Sequence, residues 1–169
     1  MAGPVAVVRP LTPEAFAPYG SVIQVPPEHQ AGGWDELPFP IRLAAEAGFA
    51  KVEGELQFLA VTLAERALEV GYIERHLATA EIVIPLGQPL WLPVAAPTEA
   101  AAPDPAAVCV FALQPTQAVI LLPGTWHFAP FVTRPGAVAS LLAIYRRGTM
   151  ESDMQLIPLQ PPVPVAAGT

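Results

Sequence analysis

Proline sets the first limit on what this chain can fold into. Twenty-two of the 169 residues are proline, spread from Pro4 to Pro164. Each one removes a backbone donor and breaks a helix interior, so an architecture of long helices is excluded. Between the prolines and glycines lie short apolar runs, the mark of an all-β chain. Apolar residues make up 53% of the sequence and charged residues only 14%, which lets burial offset ordering entropy and excludes intrinsic disorder. The length suits one domain with a sizeable core.

The charge balance narrows the function. Fifteen acidic against eight basic side chains give a net charge of −7, and Lys51 is the only lysine. A nucleic-acid binder needs a basic face to displace counterions, so that class is excluded. The single cysteine, Cys109, rules out an internal disulfide framework and a thiolate zinc cluster; in its apolar run it reads as a small buried hydrophobe. Residues 1–9 lack a basic segment followed by a long apolar run, and no stretch of 18 apolar residues escapes Pro or Gly. The expectation is a soluble, cytoplasmic protein with no signal peptide and no membrane partner. The apolar composition also suits a buried subunit contact.

The apolar runs predict strands over 5–8, 21–25, 56–63, 70–76, 81–86, 90–95, 108–113, 118–122, 137–145 and 154–159. One short helix is expected near the start. Thr12 suits its N-cap, Pro13 its first position and Glu14 its positive end, and Pro18 and Gly20 stop it. Residues 26–40 read as a Pro/Gly loop containing a solvated His29, and 96–106 as an Ala/Pro surface insertion without chemistry. Residues 1–160 are expected to form a single domain and 161–169 a frayed tail. About nine to eleven short strands with one early helix predict a β-barrel or two-sheet jelly roll, with function at the barrel mouth.

The polar residues that interrupt apolar strands are the candidates for chemistry. Glu74 and His76 are two apart and share a strand face, while Arg75 points to the other. Glu81 opens the next strand, and a hairpin would bring Glu74, His76 and Glu81 together as metal ligands or an acid/base set. His127 follows the turn Pro123-Gly124 in an apolar setting. Each residue has a structural reading as well. Glu74 and His76 can be a charged surface pair, His127 a core histidine bonded to a carbonyl, and Trp126 packing. Glu81 can be a ligand or the partner of Arg75 or Arg146, and Arg42 a carboxylate clamp or a surface arginine.

The pattern Glu74-x-His76-x4-Glu81 followed by Gly124-x-x-His127 resembles the two cupin motifs, with Glu74 standing where the first histidine usually is. The opening from Leu11-Thr12-Pro13-Glu14-Ala15-Phe16 to Ile23, the run Glu74-Arg75-His76 with Ile84-Pro85, Trp126-His127, and the stretch from Ile144 to Gly148 resemble the ureidoglycolate lyase family, whose members are cupins. The resemblance runs over most of the chain. It implies a cupin-type β-barrel, or double-stranded jelly roll, with a short N-terminal helix. The implied activity is a carbon–nitrogen lyase that splits ureidoglycolate, or a related small carboxylate, into glyoxylate and urea. Within it, Glu74 or His76 would be the base and His127 the acid or a metal ligand. Arg42 or Arg75 would clamp the substrate carboxylate, and Trp126 would wall the pocket. Glu74, His76, Glu81 and His127 would hold a divalent ion such as Ni²⁺, Mn²⁺ or Zn²⁺, and the enzyme would be a homodimer. The alternatives are another metal-dependent cupin enzyme and a non-catalytic small-molecule-binding cupin.

The chain departs from the family pattern in ways that remove polar groups. Leu43, Ala44 and Ala45 follow Arg42 where an aromatic-His-Asp run is usual. Phe128 replaces a second histidine, Ile120 and Leu121 stand where Asn-Tyr is frequent, and Glu81 replaces a glutamine. Unpaired buried polar groups discriminate strongly among substrates, so a pocket that has lost such groups can prefer a substrate other than ureidoglycolate.

Overall fold

The structure, a computed structural model, describes residues 3–25 and 48–168. Within them the apolar runs form β1 (Ala6–Pro10), β2 (Gly20–Gln24), β3 (Leu56–Ala64), β4 (Glu69–His76), β5 (Glu81–Pro85), β6 (Leu90–Ala95), β7 (Cys109–Leu113) and β8 (Gln117–Leu121). The pairs β9 (Trp126–His127) and β10 (Phe131–Val132) follow, then β11 (Val138–Arg146) and β12 (Met154–Ala166). The early helix, α1 (Pro13–Phe16), is a single turn capped as its sequence predicts: the Thr12 hydroxyl accepts from the Ala15 amide at 3.2 Å. A second turn, α2 (Thr149–Ser152), sits between β11 and β12. No helix among the described residues is long and apolar enough to cross a membrane.

Two sheets build the all-β barrel expected from the cupin resemblance. The five-stranded sheet runs β2-β8-β5-β11-β3, and the seven-stranded one runs β10-β6-β7-β1-β12-β4-β9. Because β6 also pairs with β9, the strands β6, β7, β1, β12, β4 and β9 close into a ring. Strand alternation then divides the apolar residues between two cores. Leu92 and Val94 of β6 and Phe111 of β7 meet Val83, Val119 and Leu141 of the five-stranded sheet. The alternate positions Ala95 and Val110 join Val70, Trp126, Leu159 and Val163 in a second core to which every strand of the ring contributes.

Two expectations are corrected here. The strands carrying Glu74-His76 and Glu81 are not a hairpin: β4 pairs with β12 and β9, whereas β5 pairs with β11 and β8, so the turn after His76 crosses from one sheet to the other. The stretch from Pro161, expected to fray, is strand as far as Ala166. Val163 and Val165 are buried in the ring core while Pro162 and Pro164 face outward, so the prolines occupy positions where extended backbone is wanted. The pairing Ala6↔Val165 with β1 and the bond from the Val165 amide to the Leu68 carbonyl, at 2.8 Å, fix this end. β9 and β10 escaped the sequence reading because two residues carry no periodicity.

Val163 is 1% exposed, and truncating it leaves a cavity inside the ring. Val163→Ala is expected to cost about 2 kcal/mol in chemical denaturation; an unchanged midpoint would contradict a tail that closes the barrel.

Candidate active site

Four short stretches build the site. On β4, Glu74 and His76 face the core between the sheets, and the intervening Arg75 faces the ring. On β9, His127 lies directly across from Glu74 on one side and from Val94 on the other. The turn before it depends on Gly124, whose φ of +83° lies in the left-handed region. There the Gly124 amide donates to the His76 carbonyl at 2.6 Å, and the Thr125 hydroxyl donates to the Tyr19 carbonyl at 2.8 Å. Glu81 comes from the opposite sheet. The turn that delivers it is held by Asp153, whose two carboxylate oxygens accept from the Leu77 and Ala78 amides at 2.9 Å each.

These stretches bring four titratable side chains together. One oxygen of Glu81 lies 3.1 Å from His127 Nε2 and 3.3 Å from His76 Nε2, and a Glu74 oxygen lies 3.9 Å from His127 Nε2. The imidazole planes meet at 60° with centroids 5.3 Å apart. His127 Nδ1–H donates to the Thr125 carbonyl at 2.9 Å, which leaves Nε2 as a lone pair in the neutral ring. A lone pair facing a carboxylate oxygen at this distance requires a positive charge, supplied by a proton on the imidazole or by a metal ion. Ligand atoms of Glu74, His76 and His127 lie within 4.8 Å of one another, and two imidazoles with a carboxylate suit a divalent transition metal. The residues therefore fit such an ion, and Glu81 contacts both imidazoles.

The electrostatics follow from this packing. Burial alone would raise the Glu81 carboxyl, but the His127 charge and hydrogen bonds from His127 and His76 outweigh it and bring it down to about 2. Burial alone would lower His127; the Glu81 carboxylate, its hydrogen bond, the Glu74 charge and the Thr125 carbonyl raise it to about 9. Glu74 is pushed up from the usual carboxylate value by burial and by Glu81, against the pull of His127 and His76. The two carboxyls thus differ in proton affinity, with Glu74 the readier acceptor.

A cavity of about 100 Å³ opens beside this cluster. His76, Glu81 and His127 border it, and the walls are mainly apolar, with Leu59, Val61, Leu92, Phe128, Leu141 and Met150 among them. No lysine or arginine lines it among the described residues. The Tyr145 hydroxyl and His76 Nδ1, both on lining residues, are buried without a hydrogen-bond partner. Burial and the nearby Glu81, Glu74 and Glu151 charges raise the Tyr145 pKa, so its phenol stays protonated.

Some sequence candidates lie elsewhere. Arg75 does not line the cavity: its guanidinium sits 4.2 Å from the Trp126 ring, and it donates to the Gln155 side chain and the Thr98 carbonyl. Regular alternation on β4 keeps it on the ring side, so this geometry does not support it as a carboxylate clamp. Trp126, fully buried in the ring core, is likewise packing rather than a pocket wall. Glu81 contacts the two imidazoles and neither of the arginines considered for it. Arg42 and His29 lie outside the described residues. Cys109 is buried as expected, but its sulfur has polar neighbours, Arg9 at 2.8 Å and the Tyr19 hydroxyl at 3.2 Å. Tyr145 and Asp153 were missed. Tyr145 carried a signal, as the polar end of the inward series Ala139, Leu141, Ala143 on β11. Asp153 carried none, because it acts through backbone amides 75 and 76 residues away.

Two outcomes follow from this geometry. In metal-free protein, the depressed Glu81 contributes stability above its ordinary value of 4.5 that is lost as pH falls toward about 2. The raised His127 contributes stability below its ordinary value of 6.5 that is lost as pH rises through about 9. The melting temperature in chelator is therefore expected to peak between these ordinary values, and Glu81→Gln to flatten the profile; an unaltered profile would contradict the pairing. Arg75→Ala should destabilise the fold by about 2 kcal/mol, through the lost cation–π contact and hydrogen bonds. Substrate KM, read on the surviving folded enzyme, should stay unchanged.

The chain matches no curated protein. Among solved structures it is similar to a mutant of Bacillus subtilis oxalate decarboxylase, at 16% identity and a TM-score of 0.40, over 80% of this chain and 37% of that one. The chain thus spans little more than a third of that protein's length. The family profile described as ureidoglycolate lyase matches residues 4–166, a span that takes in β4, β5, β9 and the cluster they carry, and the chain belongs to that family.

Proposed function

We propose that the chain is a carbon–nitrogen lyase that cleaves ureidoglycolate, or a related small carboxylate built on the same carbinolamide carbon, to release glyoxylate. The observation that carries this reading is the meeting of Glu74, His76, Glu81 and His127 in one cluster, of which His76, Glu81 and His127 border a cavity. The reaction needs a base for the substrate hydroxyl and an acid for the departing nitrogen. Glu74, whose carboxyl is raised, takes the hydroxyl proton as the new carbonyl forms. The C–N electron pair passes to nitrogen, which takes its proton from the His127 imidazolium, and urea leaves with glyoxylate. Glu74 and His127 are 3.9 Å apart, so a small side-chain movement returns the proton from the first to the second. His76 orients the Glu81 carboxylate, and Glu81 keeps His127 charged.

Where a divalent ion such as Ni²⁺, Mn²⁺ or Zn²⁺ is bound, Glu74, His76 and His127 hold it, and it supplies Lewis-acid polarisation of the substrate oxygens. Glu81 is then the carboxylate left to accept a proton. Arg42, the family-type arginine, is assigned the substrate carboxylate, for which a planar fork of donors is suited. Under the same reading the enzyme works in the cytoplasm as a homodimer; the exposed apolar side chains of Leu56 and Phe58 on β3 support a subunit contact.

Incubation with (S)-ureidoglycolate is expected to release glyoxylate above the spontaneous rate, in chelator or with added metal. Glu74→Gln should lower kcat by about 100-fold or more, and Arg42→Ala should act mainly on KM. No release under either condition would overturn the lyase reading. Ligand binding without turnover would instead identify a binding cupin, the alternative favoured by the apolar cavity walls.

A further inference from the structure

We infer that the arm of the substrate that leaves with the nitrogen is apolar. On this view the site takes an N-acyl-2-hydroxyglycine with a short aliphatic acyl chain, in place of the carbamoyl group of ureidoglycolate. The inference rests on the lyase reading for the bond that is cleaved, and on the cavity alone for the substituent. A carbamoyl group ends in an amino group with two N–H donors and carries a carbonyl acceptor. Of the described lining, only His76, Glu81, His127 and Tyr145 carry hydrogen-bonding side chains, and the lyase reading commits the first three to the cluster at the reacting carbon; the walls formed by Leu59, Val61, Leu63, Leu92, Leu141 and Ala143 offer nothing to those donors. Burying them unpaired is unfavourable. An acyl group has the carbonyl and no terminal amine. The Tyr145 hydroxyl, buried and unpartnered among the described residues and on the lining, is present to donate to that carbonyl.

The space agrees with this assignment. The cavity's 100 Å³ exceeds the share of one water in the liquid, about 30 Å³, roughly threefold. It admits a short branched chain. The chemistry is unaltered: the hydroxyl proton goes to the base, glyoxylate's carbonyl forms, and the C–N electron pair and one proton go to nitrogen. The leaving group is then a carboxamide rather than urea. The Tyr145 hydroxyl is a substrate-contacting group in this arrangement, and Val61 and Leu141 determine specificity.

Calorimetric binding to the full chain compares two unreactive probes that lack the hydroxyl, N-isovalerylglycine and N-carbamoylglycine. The isovaleryl probe is expected to bind at least about tenfold more tightly, and Val61→Thr to narrow that ratio. Equal or weaker binding of the isovaleryl probe, or a ratio untouched by Val61→Thr, would overturn the inference. Turnover of N-isovaleryl-2-hydroxyglycine and of ureidoglycolate is followed in parallel by glyoxylate release. Faster turnover of the acyl compound supports the inference, and faster turnover of ureidoglycolate overturns it while leaving the lyase reading intact. Tighter isovaleryl binding with neither hydroxy compound cleaved would overturn the lyase reading and leave the cavity's preference standing.

Discussion

One oxygen of Glu81 lies between two buried imidazoles, and much of the molecule is arranged to keep it there. Isolated in an apolar interior, a carboxylate would take up a proton. Here His127 cannot present a second N–H to Glu81 while neutral, because its Nδ1–H is committed to the Thr125 carbonyl. The contact therefore demands a positive charge at that point. That demand is met equally by an imidazolium and by a divalent ion, which is why one constellation suits both acid–base and metal-assisted chemistry. The energetic burden falls on the scaffold, since removing either partner would strand a buried charge.

The scaffold's answer is closure. β9 is only two residues long, yet it is bonded to β4 on one side and β6 on the other, which completes the ring and fixes His127 opposite Glu74. Glu81 arrives from the other sheet, on a turn clamped by Asp153. Four titratable side chains are thus supplied by two sheets and three strands, and none can shift without disturbing a ladder or a backbone cap.

The contrast between local and distant signals explains what the sequence revealed. Alternation and turn residues sufficed for most strands, for the capped turn at Thr12 and for the shared face of Glu74 and His76, because each depends on neighbours within a few residues. The proposed hairpin failed because strand length and spacing say nothing about which sheet a strand joins. The tail from Pro161 was misread because proline content outweighed the alternation of Val163 and Val165 with Pro162 and Pro164. The candidate site was legible as a list of interrupting polar residues. Its geometry was not, because Glu81 and His127 are separated by 46 residues and meet across the sandwich. The mismatch between a lyase-type cluster and an apolar cavity was foreshadowed by Phe128, Ile120 and Leu121, but only Phe128 lines the cavity.

Glu74-Arg75-His76 shows why three consecutive polar residues belong in one strand of so apolar a chain. Alternation sends the outer two to the core between the sheets and the middle one into the ring. Arg75 lies over Trp126 and ties β4 to Gln155 of β12 and to the Thr98 carbonyl in the Ala/Pro segment. Trp126 in turn is the residue before His127, so the stacked pair on one face sets the backbone that aims the imidazoles on the other. An arginine that reads from sequence as a substrate clamp thereby lies where it supports the backbone behind the site. The charge it carries is neutralised by π-electrons and carbonyl dipoles rather than by the Glu81 and Glu74 carboxylates, and those remain available to the imidazoles and to whatever cation joins them.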